Sequence, residues 1–380
     1  ADTFFMASKG STDIFVTKTN TNGKLIWAVS IGGSQADIGA DIAVDTSGII
    51  YLTGSFQGTV DFNPGSSVFN LSSSGKSDIF VLKLNKNGNF IWAKKVGGPL
   101  EDAGTSVAIS KTGYVHTTGY FSDTVSFTVG SSGKGLVISE GGFDIFVSRM
   151  DTSGKIVWLN RMGGPDDDAG KAIAVDASEN AITTGYFNSK AGFNPSSPSS
   201  NILTSLGDAE VFISKLDGKG NYVWANPVSG NGYDIGLGIA VDASGLIYVT
   251  GGFSGNCDFN PSKPVASVVS NGQIDAFFAC YQADGSYSWA YQIGSKGDDY
   301  GNSIIVDASS NVYLTGSFQN GPDFNPGTSN YTLNSVGSED VFIGKYSSSA
   351  AFIWAYQMGG GKTDIGKDIA ISSIKEVYTT

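Results

Sequence analysis

Apolar residues along this chain fall in short runs of four to seven, each bounded by small polar residues and glycine. One stretch shows the pattern in full: Ala40 to Asp45, Ile49 to Ser55, Asp78 to Leu84 and Asn89 to Val96. These runs are rich in Val, Ile, Phe, Tyr and Trp, the side chains that suit a pleated, half-buried surface, and they predict four strands. Ser47-Gly48 and Asn87-Gly88 sit where tight hairpins need positive φ. A loop of about twenty residues is expected between the second and third strands.

The pattern then recurs. Trp27, Trp92, Trp158, Trp224, Trp289 and Trp354 are 65, 66, 66, 65 and 65 residues apart, so they are one position seen six times. Before them stand Asp13-Ile-Phe-Val, Asp78-Ile-Phe-Val, Asp144-Ile-Phe-Val, Glu210-Val-Phe-Ile, Asp275-Ala-Phe-Phe and Asp340-Val-Phe-Ile. After them come a Gly-rich stretch, an Asp-x-Gly, and runs like Ile-Ala-Val-Asp and Tyr-Leu-Thr-Gly. Four antiparallel strands per repeat, in order a, b, c and d, describe the blades of a β-propeller. Five continuous units span about 37–98, 102–164, 168–230, 234–295 and 299–360. A c–d hairpin is left at the N-terminus (1–33) and an a–b hairpin at the C-terminus (364–380). Complementary halves are what a closed ring needs to remove its free strand edges, whereas a solenoid has no use for them. The expectation is an all-β, six-bladed propeller in a single domain over 1–380, its closing blade shared by the two termini. The repeat breaks off at Thr379-Thr380, where other units run Thr-Gly-x-Phe, so a longer parent chain is expected.

Composition narrows the chemistry. Glycine, at 52 of 380 residues, is about twice as frequent as usual, which argues for many turns rather than long helices. The net charge is −12 with no Lys/Arg cluster, which excludes nucleic acid as the expected partner. No apolar run approaches the roughly 18 residues of a membrane-spanning helix. One histidine in the whole chain is too little imidazole for His-based zinc sites, and no metal or other cofactor is expected. Cys257 and Cys280 are compatible with a disulfide or with two buried thiols.

Asp-Ile-Phe-Val-x-Lys, Gly-x-x-x-Trp-Ala, Gly-Gly, Asp-x-Gly, Ile-Ala-Val-Asp-x-Ser-Gly and Tyr-Val-Thr-Gly together resemble the SBBP β-propeller repeat. The resemblance covers nearly the whole chain. It implies a secreted or surface bacterial protein and assigns no activity. The family name implies seven blades where six are counted here, and an Asp-Phe-Asn-Pro element lengthens the b–c loop.

Three sets of residues could carry binding. Asp37, Asp102, Asp168, Asp234, Asp299 and Asp364 each precede Gly by two at the d–a hand-over, where a ring of carboxylates could meet a cation. The structural alternative is an Asx-turn, in which the side chain accepts the N–H two residues on. Asp61, Asp258 and Asp323 open the Asp-Phe-Asn-Pro elements of the b–c loops, which could equally be rigid turns with the Phe tucked beneath. Tyr120 and Tyr186 begin the two most individual stretches, 120–142 and 186–206. The Trp column reads as packing between blades, and His116 as a packing variant in a column of Tyr51, Tyr248 and Tyr313. No catalytic residue is assigned. The expected function is an extracellular or cell-surface propeller that binds a protein or glycan through its d–a and b–c loops. The alternatives are a structural subunit of a surface assembly, and a carboxylate-based hydrolase or lyase.

Overall fold

The computed structural model describes residues 4–129, 133–260, 262, 265–372 and 374–380. Among them every regular element is a β-strand and no helix occurs. Pro261, the end of the second Asp-Phe-Asn-Pro copy, lies outside the described residues.

The chain forms two compact units, residues 1–170 and 171–380. The first contains β1 (Ile14–Thr19) and β2 (Leu25–Ile31), paired as a two-stranded sheet. Two four-stranded antiparallel sheets follow. One is β3 (Asp37–Val44), β4 (Ile50–Asp61), β5 (Asn70–Leu84) and β6 (Phe90–Val96); the other is β7 (Ala103–Ile109), β8 (Val115–Val129), β9 (Gly133–Met150) and β10 (Ile156–Met162). In each the spatial order is the sequence order, the meander expected of a blade.

The second unit continues with β11 (Ala169–Val175), β12 (Ala181–Gly192), β13 (Ile202–Leu216) and β14 (Tyr222–Gly230). Next come β15 (Ile235–Val241), β16 (Ile247–Phe253), β17 (Asn256–Asp258), β18 (Ser267–Val269), β19 (Asp275–Tyr281) and β20 (Tyr287–Ile293). Then follow β21 (Tyr300–Val306), β22 (Val312–Phe318), β23 (Asp340–Tyr346) and β24 (Phe352–Met358), and last β25 (Ile369–Ile371) and β26 (Val377–Thr379). The sheets β15-β16-β19-β20 and β21-β22-β23-β24 repeat the four-stranded meander, and β25–β26 is a separate two-stranded sheet. The terminal hairpins β1–β2 and β25–β26 thus each have their own ladder.

The b–c segments are more ordered than the expected loops. In three repeats the b–c hairpin continues outward as a two-stranded ribbon, for example Asp61↔Asn70, Ser126↔Leu136 and Gly192↔Ile202. In the next repeat the ribbon detaches as β17–β18 and β17 pairs with β14 of the preceding repeat (Gly230↔Cys257). Cys257 and Cys280 are buried free thiols without a bridge.

Packing explains the repeated letters. Each Asp-Phe-Asn-Pro phenylalanine is buried against the b-strand and c-strand phenylalanines: Phe62 lies 5.2 Å from both Phe56 and Phe80, and Phe324 lies 5.5 Å from Phe318 and 5.2 Å from Phe342. Aromatic trios of this kind combine large buried area with favourable edge contacts. The tryptophans reach across repeats. Trp92 Nε1 donates to Thr152 O at 3.1 Å, Trp224 to Ala283 O at 3.2 Å and Trp289 to Ser348 O at 3.2 Å, in each case the c–d turn of the following repeat. His116, in the tyrosine column, packs edge-on to Trp158 at 6.2 Å as Tyr51 does to Trp92 at 6.3 Å.

Candidate functional site

The Asp-x-Gly acids end in a buried hydrogen-bond knot. Asp37, Asp102, Asp168, Asp234 and Asp299 have at most 1% of their surface exposed, while Asp364 is half-buried. Their backbone N–H groups donate across the hand-over to the preceding repeat, as in Asp102 to Ser77 O at 2.9 Å and Asp299 to Ile274 O at 2.8 Å. The side chains do not make the expected Asx-turn. One oxygen accepts the N–H four residues back (Gly33, Gly98, Gly164, Ser295 and Gly360, all at 2.7 Å). The other reaches the end of strand b about twenty residues on, to Gln57 N at 3.2 Å, Ser122 N at 3.1 Å, Ser254 N at 3.1 Å and Gln319 N at 2.8 Å. The bonds therefore run to groups that only the folded blade brings near. Burial pushes Asp102, Asp234 and Asp299 up to about 7, against the opposing pull of these N–H donors, and Asp37 is raised by the same cause.

A second column of acids, from the Asp-Ile-Phe-Val text, sits beside the first. Asp78, Asp144, Glu210, Asp275 and Asp340 are fully buried. Each accepts the N–H four residues back, as in Ser74 N to Asp78 at 3.0 Å and Asn271 N to Asp275 at 2.8 Å; Leu206 N donates to Glu210 in the same way. Their remaining oxygens find no conventional donor. Asp78 and Asp340 instead press theirs on the first glycine of the Gly-Gly pair, where a Cβ on Gly97 or Gly359 would fall within 2.5 Å of the oxygen. Where the acid is Glu210 the glycine is replaced by Ser229, whose side chain opposes the burial that raises this carboxyl. Two of these acids carry cations: Lys95 Nζ lies 3.0 Å from Asp78 and Arg161 Nη1 2.7 Å from Asp144.

The Asp-Phe-Asn-Pro acids brace their own loops. Asp61 Oδ1 accepts Asn63 N at 3.0 Å and Phe69 N at 2.8 Å; Asp258 Oδ1 accepts Asn260 N at 3.0 Å and Ala266 N at 2.9 Å. Asp323 Oδ1 does the same with Asn325 N at 2.9 Å and Tyr331 N at 2.8 Å. Tyr120 packs on Phe143 at 4.7 Å, and the Tyr186 ring lies under Lys171 Nζ at 5.4 Å.

Clefts open among these loops. One, of about 490 Å³ in the first unit, is acidic: Glu101, Asp123, Glu140 and Asp167 line it with Lys76 and Phe143. Its acids are engaged locally, Glu140 with Arg161 at 2.9 Å and Asp167 with Phe143 N at 2.9 Å. Another, of about 360 Å³ in the second unit, lies between the d strand β20 and the next Asp-Phe-Asn-Pro loop. Tyr291, Gln292, Asn271, Asp323 and Asn325 line it over a small apolar floor of Val268, Ala290 and Pro326. Of the expected site residues only Asp323 reaches this cleft. Tyr291 and Gln292 carry no motif: the same pair recurs as Tyr356-Gln357, while equivalent positions elsewhere hold Lys94-Lys95 and Asn160-Arg161. Among the described residues no group of three or more His, Cys, Asp or Glu could hold a metal ion, and no helix is long and apolar enough to cross a membrane.

Residues 289–317 match the SBBP family, described as a beta-propeller repeat. A WD repeat-containing protein of Acanthamoeba polyphaga mimivirus is 24% identical over 439 aligned positions, which cover 95% of this chain and 31% of that protein. The regulatory protein FlaEY of Caulobacter vibrioides is 26% identical over 45% of this chain and 18% of its own length. The chain thus spans less than a third of either relative. Among solved structures, a Bacteroides caccae protein of unknown function aligns over 92% of this chain and 94% of its own at 8% identity and a TM-score of 0.42. A gluconolactonase from Xanthomonas campestris aligns over 91% and 95% at 12% identity and a TM-score of 0.36.

Proposed function

From a chain built of SBBP-type beta-propeller repeats, we propose a non-catalytic binding module that recognises a protein or glycan of the cell surface through its d–a and b–c loops. One observation carries this reading: the Asp-x-Gly acids are spent on backbone N–H groups, while the cleft at Tyr291 is lined by side chains with atoms to spare. Buried carboxylates already accepting two N–H bonds hold loops in place, and a pre-formed cleft with an aromatic side chain and a few polar groups is what small-ligand recognition uses. The finer architecture belongs to the same proposal. It is a six-bladed ring over 1–380, closed by 364–380 with 1–33, and supported by a c–d hairpin at one end and an a–b hairpin at the other. The resemblance and the acidic, Ser/Thr/Gly-rich composition support a place outside the cell.

The test is binding of the whole chain to arrays of glycans and of surface-protein extracellular regions, with folding verified by circular dichroism. Saturable binding to some member is expected. A folded chain that binds none of either class overturns the reading.

A further inference from the structure

The second-unit cleft stands apart from its equivalents in how its polar atoms are used. The third residue after each tryptophan is Ser30, Lys95, Arg161, Pro227, Gln292 or Gln357. Lys95 Nζ donates to Ser72 O at 2.5 Å and to Asp78, Arg161 is paired with Asp144 and Glu140, and Gln357 Nε2 donates to Asn334 O at 2.9 Å. Gln292 breaks this habit: its Oε1 is buried with no hydrogen-bond partner. A buried amide oxygen left unpaired is unfavourable, and because Gln292 lines the cleft a donor on a ligand there would satisfy it.

The neighbours in the cleft are pinned by one polar atom and offer another. Asp323 uses Oδ1 for Asn325 N and Tyr331 N, which leaves Oδ2. Asn325 uses Oδ1 for Gly327 N at 2.9 Å, which leaves Nδ2, and Asn271 uses Nδ2 for Gly294 O at 3.3 Å, which leaves Oδ1. The Tyr291 ring is held against Phe278 at 5.9 Å and Trp289 at 5.8 Å. The unspent atoms therefore include both acceptors and donors, Asp323, Asn325 and Asn271 are held in place before a ligand arrives, and an aromatic ring stands beside them. Pre-organisation of this kind removes much of the ordering cost of binding. Adjacent sugar hydroxyls, each able to donate and accept, suit such a mixture, and an aromatic face suits the C–H surface of a pyranose. At about 360 Å³ the cleft takes a sugar ring rather than an extended chain.

We propose that Tyr291, Gln292, Asn325 and Asp323 form a saccharide subsite for a neutral hexose or N-acetylhexosamine unit of a glycan. The assignment rests on the binding-module reading above and narrows it to one ligand class and one cleft. The probes are the methyl glycosides of hexoses and N-acetylhexosamines, titrated into the full chain and followed by saturation-transfer NMR. Binding of at least one is expected, with affinity reduced at least about tenfold in Gln292→Ala, the loss typical of one buried hydrogen bond, and unchanged in Gln357→Ala. Asn325→Ala is the second reporter if Gln292→Ala does not fold, and a like loss is expected there. Equal affinity in the wild-type chain and the folded cleft variants overturns the subsite. Binding of a surface protein but of no glycoside overturns the subsite and leaves the broader reading standing, whereas binding of neither overturns both.

Discussion

At the scale of single residues, the repeated Asp/Gly text is a steric agreement. Asp78 lies so close to the α-carbon of Gly97 that a methyl group there would meet its Cγ at 2.3 Å. Gly97→Ala should therefore destabilise the protein by about 1–3 kcal/mol, the range for overpacked interiors, measured by urea unfolding. The Glu210/Ser229 pair shows the alternative solution, so Gly97→Ser combined with Asp78→Glu should recover part of the loss seen for Gly97→Ser alone; no recovery would mean that the two positions are not coupled. The carboxylates also set a pH dependence. Because the folded state binds protons more tightly than the unfolded chain at Asp102, Asp234 and Asp299, their contribution is fully present below the ordinary value of 3.8 and is lost as pH rises towards about 7. At the hairpin turns, a burial penalty that raises Asp151, Asp217 and Asp307 is outweighed by hydrogen bonds from the turns, which hold them low. Their contribution is lost as pH falls below 3.8. Thermal melts should therefore place maximum stability at about pH 4–5, with Tm declining towards pH 8; a maximum above pH 7 would show that the buried acids stay ionised.

At the scale of the strand and the repeat, the hairpin turns were legible because Gly48 and Gly88, both at φ +80°, occupy conformations that side chains resist. The tryptophan column was legible as packing, since a large ring in mid-strand needs a wall. Its hydrogen bond to the next repeat was not, because the acceptor is a backbone carbonyl about sixty residues away and carbonyls carry no sequence identity. Trp92→Phe keeps most of the apolar area and removes the bond to Thr152 O, so it should cost about 1–3 kcal/mol, with Trp92→Ala costing about 3–5 kcal/mol. Equal losses in the two variants would show that ring area contributes nothing beyond the bond. The b–c ribbons do not announce themselves in the sequence because small polar residues and glycine outnumber apolar ones in them, as in the stretch from Asn70 to Lys76. Ser72 opposite Thr59 and Asn70 opposite Asp61 do not announce a strand by composition.

For the whole molecule, ring closure makes the strongest demand. If residues 364–380 complete a blade with 1–33, their deletion exposes two strand edges and removes the partner of the N-terminal hairpin. The 1–363 chain should then melt several degrees lower and aggregate on heating, by light scattering, because unpaired edges template association. An unchanged Tm and monomeric state would argue for terminal hairpins that stand alone. The repeat length, the four-stranded meander, the turns and the aromatic packing positions were all written in the chain, since periodic letters impose periodic backbone and burial. Which oxygen of which aspartate is spent, and that Gln292 keeps an unpartnered buried oxygen while its counterpart Gln357 donates to Asn334 O, were decided only in three dimensions. Identical residues in equivalent places meet different partners once long-range neighbours arrive, and the cleft at Tyr291 exists because the d strand of one repeat meets the b–c loop of the next.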